Sequence, residues 1–137
     1  MNPEYYKTIF LISKKPESWP DEFAIITAHN PMDLKLSDNE NSLRNEKLLK
    51  RIEQNVFLKL SGSSPDFTHQ ETSYAFISDL DKAIEIGRVF QQRAIYYIRK
   101  GNLQLVDCNA DSILELGLFY ERVSLDQNKQ GNNCRNI

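Results

Sequence analysis

The chain has 137 residues, of which 40% are hydrophobic and 26% are charged, and its formal net charge is −2. This length suits one domain, and this composition is too apolar for intrinsic disorder. A slightly acidic chain has no general attraction to nucleic acid or to anionic membranes, so we expect neither partner. No apolar run reaches the roughly 18 residues of a membrane helix, and the N-terminus lacks the profile of a secretory signal. We therefore expect a cytoplasmic protein.

Six segments predict β-strands, because each is a short apolar or β-branched run bounded by polar, proline or glycine residues. They are residues 7–13, 23–28, 56–60, 72–77, 93–99 and 103–106. Residues 23–28 are nearly all apolar, which indicates burial on both faces of the sheet. Pro31 cannot continue a strand, and it biases Asn30 toward a turn. The chain therefore turns at the end of the second strand.

Two helices are predicted to cover the sheet. Ser37 and Glu40 have the spacing of a capping box, with Asn39 as an alternative cap, and apolar residues follow at helical spacing. Ser78 or Asp79 begins the second helix. One face of that second helix is apolar: Leu80, Ala83, Ile84, Gly87 and Phe90. Both helices therefore have a side that can pack on a sheet.

The end of the chain gives a weaker pattern. Residues 111–123 fit a helix or an edge strand, and we favour a short helix that runs into an extended piece. Residues 126–137 are rich in Asn and Gln, which predicts a disordered tail and leaves a single domain at residues 1–125. The order of elements predicts an α+β fold, with a mixed sheet of about six strands and two main helices packed on it.

Five separated blocks of sequence are similar to a known family. They are Phe23-Ala-Ile-Ile-Thr-Ala-His-Asn-Pro31, residues 41–49, Gly62, Glu71-Thr-Ser73 and Phe90-Gln-Gln-Arg-Ala-Ile95. Together they resemble the bacterial family catalogued as domain of unknown function 3293, over roughly residues 5–123. That family has no assigned reaction. The resemblance therefore implies a pattern of polar positions and no activity.

The polar positions that the resemblance implies look like a site. They are Asn30 and Pro31 at a strand end, an asparagine that opens the first helix, Glu71 with Ser73, and a glutamine just after the second helix. Asn39 or Asn41 fits the helix position, and Gln91 or Gln92 fits the glutamine position. His29 stands where we expect some relatives to carry other residues, so the resemblance implies no essential role for its imidazole.

The residues themselves suggest an anion site between the His29-Asn30 corner and the start of the first helix. Backbone N–H groups and the helix dipole attract phosphate or carboxylate, and Arg44 would add a charge-assisted fork. The alternative is that Asn30 caps a turn and Arg44 lies on a solvated face. Glu71 is the candidate proton acceptor, but no paired carboxylate supports it, and accepting backbone hydrogen bonds is the simpler role. No reaction is predicted.

Metal binding is not expected, because two histidines and two cysteines at unrelated spacings form no ligand set. We also expect no cofactor, and we interpret both cysteines as free thiols. The favoured hypothesis is a domain that binds a small polar or anionic ligand. The residues expected to bind it are His29, Asn30, Asn41, Arg44, Glu71, Ser73 and Gln92. The alternative is a protein-interaction or regulatory module without catalytic activity, which would present an edge strand near residues 118–123 to a partner.

Overall fold

The computed structural model describes residues 3–110 and 112–126, together with the backbone of residues 134–135. The strands are β1 Ile9–Ile12, β2 Glu22–Thr27, β3 Phe57–Ser63, β4 Gln70–Phe76, β5 Ala94–Arg99, β6 Asn102–Asp107, β7 Ile113–Leu118, β8 Val123–Leu125 and β9 Cys134–Arg135. The helices are α1 Asp38–Ile52 and α2 Leu80–Val89, with short 3₁₀ helices at Pro3–Lys7, Pro31–Asp33 and Phe119–Arg122. The described residues thus form a mixed α+β fold, as predicted.

One sheet contains all of these strands. Its order is β7-β6-β5-β2-β4-β3-β1-β8, and the two-residue β9 pairs with the start of β3 off this path. Neighbouring strands are antiparallel except β1 and β8, which run parallel. The continuous path has eight strands, so the prediction of about six was too low. The additional strands β7 and β8 both lie after residue 110.

The short helix that we favoured at the start of residues 111–123 is wrong. This segment forms β7, then a 3₁₀ helix, then β8. Ile113 lies opposite Val106 and Leu114 lies opposite Leu105, so β7 pairs with the edge of β6. Backbone groups at that edge need partners, which favours a strand where side-chain spacing alone allowed either structure. The predicted disordered tail lies outside the described residues, apart from Asp126 and the backbone of β9.

One face of the sheet is covered by α1 and α2. Its core is apolar and includes Ala24, Ile26, Leu48, Ile52, Phe76 and Ile86, all buried. The predicted capping box of α1 is present, because Ser37 Oγ accepts from the Glu40 N–H at 3.1 Å and Glu40 Oε1 accepts from the Ser37 N–H at 3.3 Å. Asp79 is the cap of α2. No helix in the described part of the chain is long and apolar enough to cross a membrane.

The opposite face curls around a second apolar cluster. Phe10 of β1 and Tyr96 of β5 lie with ring centroids 5.1 Å apart, although β2, β4 and β3 stand between their strands in the sheet. That contact requires the sheet to curl, in keeping with the twist of native sheets. Phe119, from the 3₁₀ helix after β7, packs against Phe10, Trp19 and Phe23 and fills one end of the curl. We call this group of four aromatic residues the aromatic plug.

Candidate functional site

A cleft of about 440 Å³ opens on the curled face. Its position follows from a change in residue type along the strands. In β2, the side chains on this face run from Phe23 through Ile25 to Thr27, while in β4 they run from Ala75 to Ser73. Because the large apolar side chains stop partway along the strands, they fill one end of the curl and leave the other end open.

Small residues form part of the cleft wall. Gly62 of β3 and Ala94 of β5 both line it. A Cβ atom at Gly62 would lie 3.6 Å from Thr8 Cγ2 and 3.7 Å from Ser73 Oγ, which are ordinary contact distances. Gly62 therefore has room for a Cβ atom, which would lie beside Thr8 and Ser73, two residues that line the cleft. This gives a way to fill the cleft without straining the strand.

Five of the seven predicted site residues line the cleft. They are His29, Asn30, Glu71, Ser73 and Gln92. Antiparallel pairing brings them together, because Thr27 at the end of β2 lies opposite Ser73 of β4. The residues that follow Thr27 and those that precede Ser73 therefore lie at the same end of these two neighbouring strands. The remaining two, Asn41 and Arg44, are not among the lining residues.

Asn30 connects the corner to the cleft. Its backbone is left-handed, with φ 45°, a conformation that asparagine adopts more readily than most residues. Its Oδ1 accepts from the Leu36 N–H at 3.0 Å and from Asn41 Nδ2 at 2.9 Å, while Asn41 Oδ1 accepts from the Asn30 N–H at 2.9 Å. Asn30 Nδ2 then donates to Glu71 Oε1 at 3.3 Å. Asn41 therefore supports the cleft indirectly, by fixing the residue that holds Glu71.

Asn45 is a supporting residue that the sequence reasoning missed. Its Oδ1 accepts from the Ala28 N–H at 3.1 Å, at the end of β2. The detectable signal was spacing, because Asn41, Asn45, Leu48 and Ile52 form one buried stripe of α1. The two asparagines continue the apolar stripe to the point where the strand ends. There they satisfy backbone groups that have left the sheet.

Arg44 lies outside the cleft and performs a structural role. Its Nε donates to the Ala28 carbonyl oxygen at 2.7 Å, and its Nη2 donates to the Phe90 carbonyl oxygen. It thereby links the end of β2 to the end of α2. The start of α1 is also occupied, since Ser37 and Glu40 cap it. Of the predicted anion site, the His29-Asn30 corner lines the cleft, whereas Arg44 and the start of α1 do not.

Of the two candidate glutamines, Gln92 lines the cleft and Gln91 does not. Its side chain is buried, with 5% of the residue exposed, and it lines the cleft. Gln92 Nε2 donates to the His29 carbonyl oxygen at 3.0 Å and to the Phe90 carbonyl oxygen at 3.2 Å. These two acceptors fix the orientation of the amide, because only its nitrogen can donate to them.

The N-terminal 3₁₀ helix forms a wall of the cleft that the sequence did not predict. Tyr5 and Thr8 line it, and the Tyr96 hydroxyl donates to the Tyr5 carbonyl oxygen at 2.8 Å. The Tyr5 hydroxyl donates to Asp33 Oδ1 at 2.6 Å, and Arg93 Nε donates to Asp33 Oδ2 at 2.8 Å. Because these contacts join residues that are far apart in the chain, no local sequence motif predicts them.

Burial perturbs the pKa of three side chains that line the cleft, His29, Tyr5 and Tyr96. Burial lowers the pKa of His29 below its ordinary value, although the nearby Glu71 acts in the opposite direction. Burial raises the pKa of both Tyr5 and Tyr96, and Asp33 adds to the effect on Tyr5. Near neutral pH, His29 is therefore an uncharged imidazole and both tyrosines keep their protons.

Within residues 3–110 and 112–126, no group of three or more His, Cys, Asp or Glu side chains is arranged to hold an ion. Cys108 is a free, buried thiol, and burial raises its pKa to about 11. The side chain of Cys134 lies outside the described residues.

The fold and the cleft define a small α+β domain with a concave polar site. Residues 26–95, just over half of the chain, match the family described as a protein of unknown function, DUF3293. The chain belongs to this family, as the resemblance implied. The matched segment runs from β2 into β5 and contains all seven predicted site residues. No curated protein and no solved structure matches the chain.

Proposed function

We propose that this protein binds a small polar ligand in the cleft on its curled face. The observation that carries the proposal is convergence: five polar residues singled out from the sequence meet at one open concavity of about 440 Å³. Ligand pockets commonly measure about 300–1,000 Å³ and combine apolar walls with a few placed polar groups. Ile25 and Phe10 supply apolar wall here, and His29, Glu71 and Gln92 supply polar groups.

The site is held in place before any ligand arrives. Asn30, Met32 and Asp33 all have positive φ values, of 45°, 49° and 64°. Such a corner costs conformational energy and persists only where neighbouring contacts determine it, an arrangement concentrated at binding sites. Here the Met32 N–H donates to the Gln91 carbonyl oxygen at 2.7 Å, and the Asn30–Asn41 amide pair fixes the other side. Preorganisation of this kind lowers the entropic cost of binding.

The proposal is for binding and includes no reaction. Ser73 Oγ donates to the Glu71 carbonyl oxygen at 3.2 Å, and an activated serine would need an imidazole or another base as that partner. Glu71, the candidate proton acceptor from the sequence, lines the cleft, where its Oε1 accepts from Asn30 Nδ2 at 3.3 Å. The anionic ligands considered from sequence lose their support, because Arg44 and the start of α1 serve the fold elsewhere.

Filling the cleft tests this function. Gly62→Val places a branched side chain in the cleft at a strand position where such residues are favoured. Lys59→Val is the matched control, since Lys59 is exposed on the same strand and does not line the cleft. A panel of amino acids, amines, sugars, nucleosides and carboxylates is screened by thermal shift, because a ligand that binds the native state raises the unfolding midpoint.

The expected result is a set of compounds that raise the midpoint of the wild type and of Lys59→Val but not that of Gly62→Val. Native mass spectrometry of freshly purified protein provides a second measurement of any retained ligand. Compounds that stabilise Gly62→Val as strongly as the wild type would bind elsewhere. A panel with no effect, together with purified protein free of any retained small molecule, would overturn the proposal.

A second candidate function rests on strand β7. It is the last strand on one side of the sheet order, and three of its apolar side chains, Ile113, Leu114 and Leu118, are about half exposed. Exposed apolar edge strands readily add a strand from a partner. Leu114→Lys should then abolish any concentration-dependent association seen by light scattering. A wild type that stays monomeric and retains no partner on affinity purification would count against this candidate.

A further inference from the structure

The cleft is rich in hydrogen-bond acceptors and poor in cations. Four carboxylate residues line it, namely Glu4, Asp33, Asp66 and Glu71, and its described lining contains no lysine or arginine. Three of these carboxylates, Glu4 among them, already have partners. Asp33 binds Arg93 and Tyr5, and Asp66 accepts from the hydroxyl groups of Ser64 and Thr68. Which carboxylate oxygens are open to a ligand therefore depends on the hydrogen bonds that each carboxylate already accepts.

Glu71 presents an uncompensated carboxylate oxygen. Its Oε1 accepts from Asn30 Nδ2 at 3.3 Å and lies 3.7 Å from Nε2 of the largely exposed His69. Its Oε2 has no partner among the described residues, and the side chain is only 26% exposed. A carboxylate that is partly withdrawn from water and lacks a strong cationic partner is costly. A cation placed against it recovers part of that cost.

Gln92 supplies a second, independent acceptor. Because its Nε2 donates to the carbonyl oxygens of His29 and Phe90, its Oε1 must face the other way. That oxygen accepts no hydrogen bond from the described residues and is not among their fully buried unpaired atoms, so it is open to the cleft that Gln92 lines. It is available to a donor on a ligand.

From this geometry we infer that the ligand carries a protonated amine, which binds Glu71 Oε2 and Gln92 Oε1, with its carbon body against Ile25 and Phe10. This inference rests on the proposed function, because it names the ligand class of the same cleft. An ammonium group offers three donors and one positive charge, which suits a carboxylate and an amide oxygen. Ile25 and Phe10 give the carbon body an apolar wall on the same concave face.

The test compares ligands that differ only in the charged group. Phenethylamine, phenethyl alcohol and phenylacetate form one set, and putrescine, 1,4-butanediol and succinate form another. Binding to the full chain is measured by titration calorimetry at fixed salt. The variant Glu71→Gln removes one charge and keeps the shape, whereas Glu85→Gln removes one charge from the exposed side of α2, on the other face.

We expect at least one amine to bind more tightly than its alcohol and its carboxylate. Glu71→Gln should weaken that binding by at least about tenfold, and Glu85→Gln should leave it unchanged. An alcohol or carboxylate that binds the cleft as tightly as its amine would overturn the inference and leave the proposed function intact. Amine binding that survives Glu71→Gln would also overturn it. Silence of all six probes at millimolar concentration overturns the amine inference, and the Gly62→Val screen decides separately whether the cleft binds anything.

Discussion

The two faces of the sheet are formed by the same strands, but the helices close one face and the other face keeps an open cleft. In β2, Ala24 and Ile26 point to the helices, where the core is closed and mostly apolar, with the buried amides of Asn41 and Asn45 near the strand end. Phe23 and Ile25 point to the curled face, which is filled only as far as the aromatic plug and then opens into the cleft. Helices can cover a whole face, whereas a sheet that covers itself by curling leaves an open end. The open end of the curled face is therefore the place where this fold has space for a ligand.

The largest expected effects come from removing the side chain that closes each face. Leu48 of α1 is fully buried in the core between the helices and the sheet, and Phe119 is fully buried in the aromatic plug. Leu48→Ala should lower the free energy of unfolding by about 2–5 kcal/mol and Phe119→Ala by about 3–5 kcal/mol. Urea denaturation measures both. Equal losses mean that the curled face is as well packed as the helix-covered face, and a loss below about 1 kcal/mol for Phe119→Ala would contradict the plug.

The next prediction distinguishes a residue that only stabilises the fold from one that also positions a side chain of the cleft. Asn41→Ala and Asn45→Ala each remove a buried amide that satisfies a backbone N–H at the end of β2, so each should cost about 1–3 kcal/mol of stability. Only Asn41 also holds Asn30, which in turn holds Glu71. Asn41→Ala should therefore weaken ligand binding, measured by calorimetry, and Asn45→Ala should not. Equal losses of binding would show that the amide chain from Asn41 to Glu71 does not matter to the site.

A smaller effect is expected at Arg44. Arg44→Met leaves the carbonyl oxygens of Ala28 and Phe90 without this donor, which should lower the free energy of unfolding by about 1–2 kcal/mol. Ligand affinity should stay the same, because Arg44 does not line the cleft. Thermal denaturation and calorimetry measure the two quantities. A large loss of affinity with unchanged stability would return Arg44 to the site and support an anionic ligand.

The smallest effect is a pH dependence at His29. Burial lowers its pKa in the folded state below the unfolded value of about 6.5, so the unfolded chain binds the proton more readily. Stability is therefore highest above about pH 6.5 and decreases as the pH falls below it. His29→Gln should remove this part of the decrease between pH 7 and pH 5. Identical pH profiles of the wild type and the variant, measured by thermal denaturation, would contradict the buried, neutral imidazole.

Local chemistry made much of the fold predictable. The Ser37–Glu40 box needs only residues three apart, and six strands were visible as short apolar runs. The curl was not predictable, because it depends on Phe10 meeting Tyr96 across three intervening strands. Strand β7 was misassigned because Ile113 and Leu116 fit a helical spacing as well, and only the edge of β6 decides between the two.

Some residues of the candidate site could likewise be predicted from the sequence, and others could not. The family resemblance indicated Glu71 and Ser73, and Pro31 indicated the turn at Asn30; all three residues line the cleft. Arg44 was assigned to the ligand because its charge was visible, but its direction is set by rotation around α1 and by carbonyl groups distant in sequence. Tyr5 was missed, because its place in the cleft depends on a contact with Asp33 that spans 28 positions.

The central claim is that the cleft, and no other surface, receives the ligand. The most direct measurement is a titration of the ¹⁵N-labelled protein with phenethylamine, observed by amide chemical shifts. The account predicts that the largest changes lie at Thr27, Gly62, Ser73 and Ala94, which line the cleft on four strands. Changes confined to the basic side of α1, at Lys47 and Arg51, or to the β7 edge would contradict it.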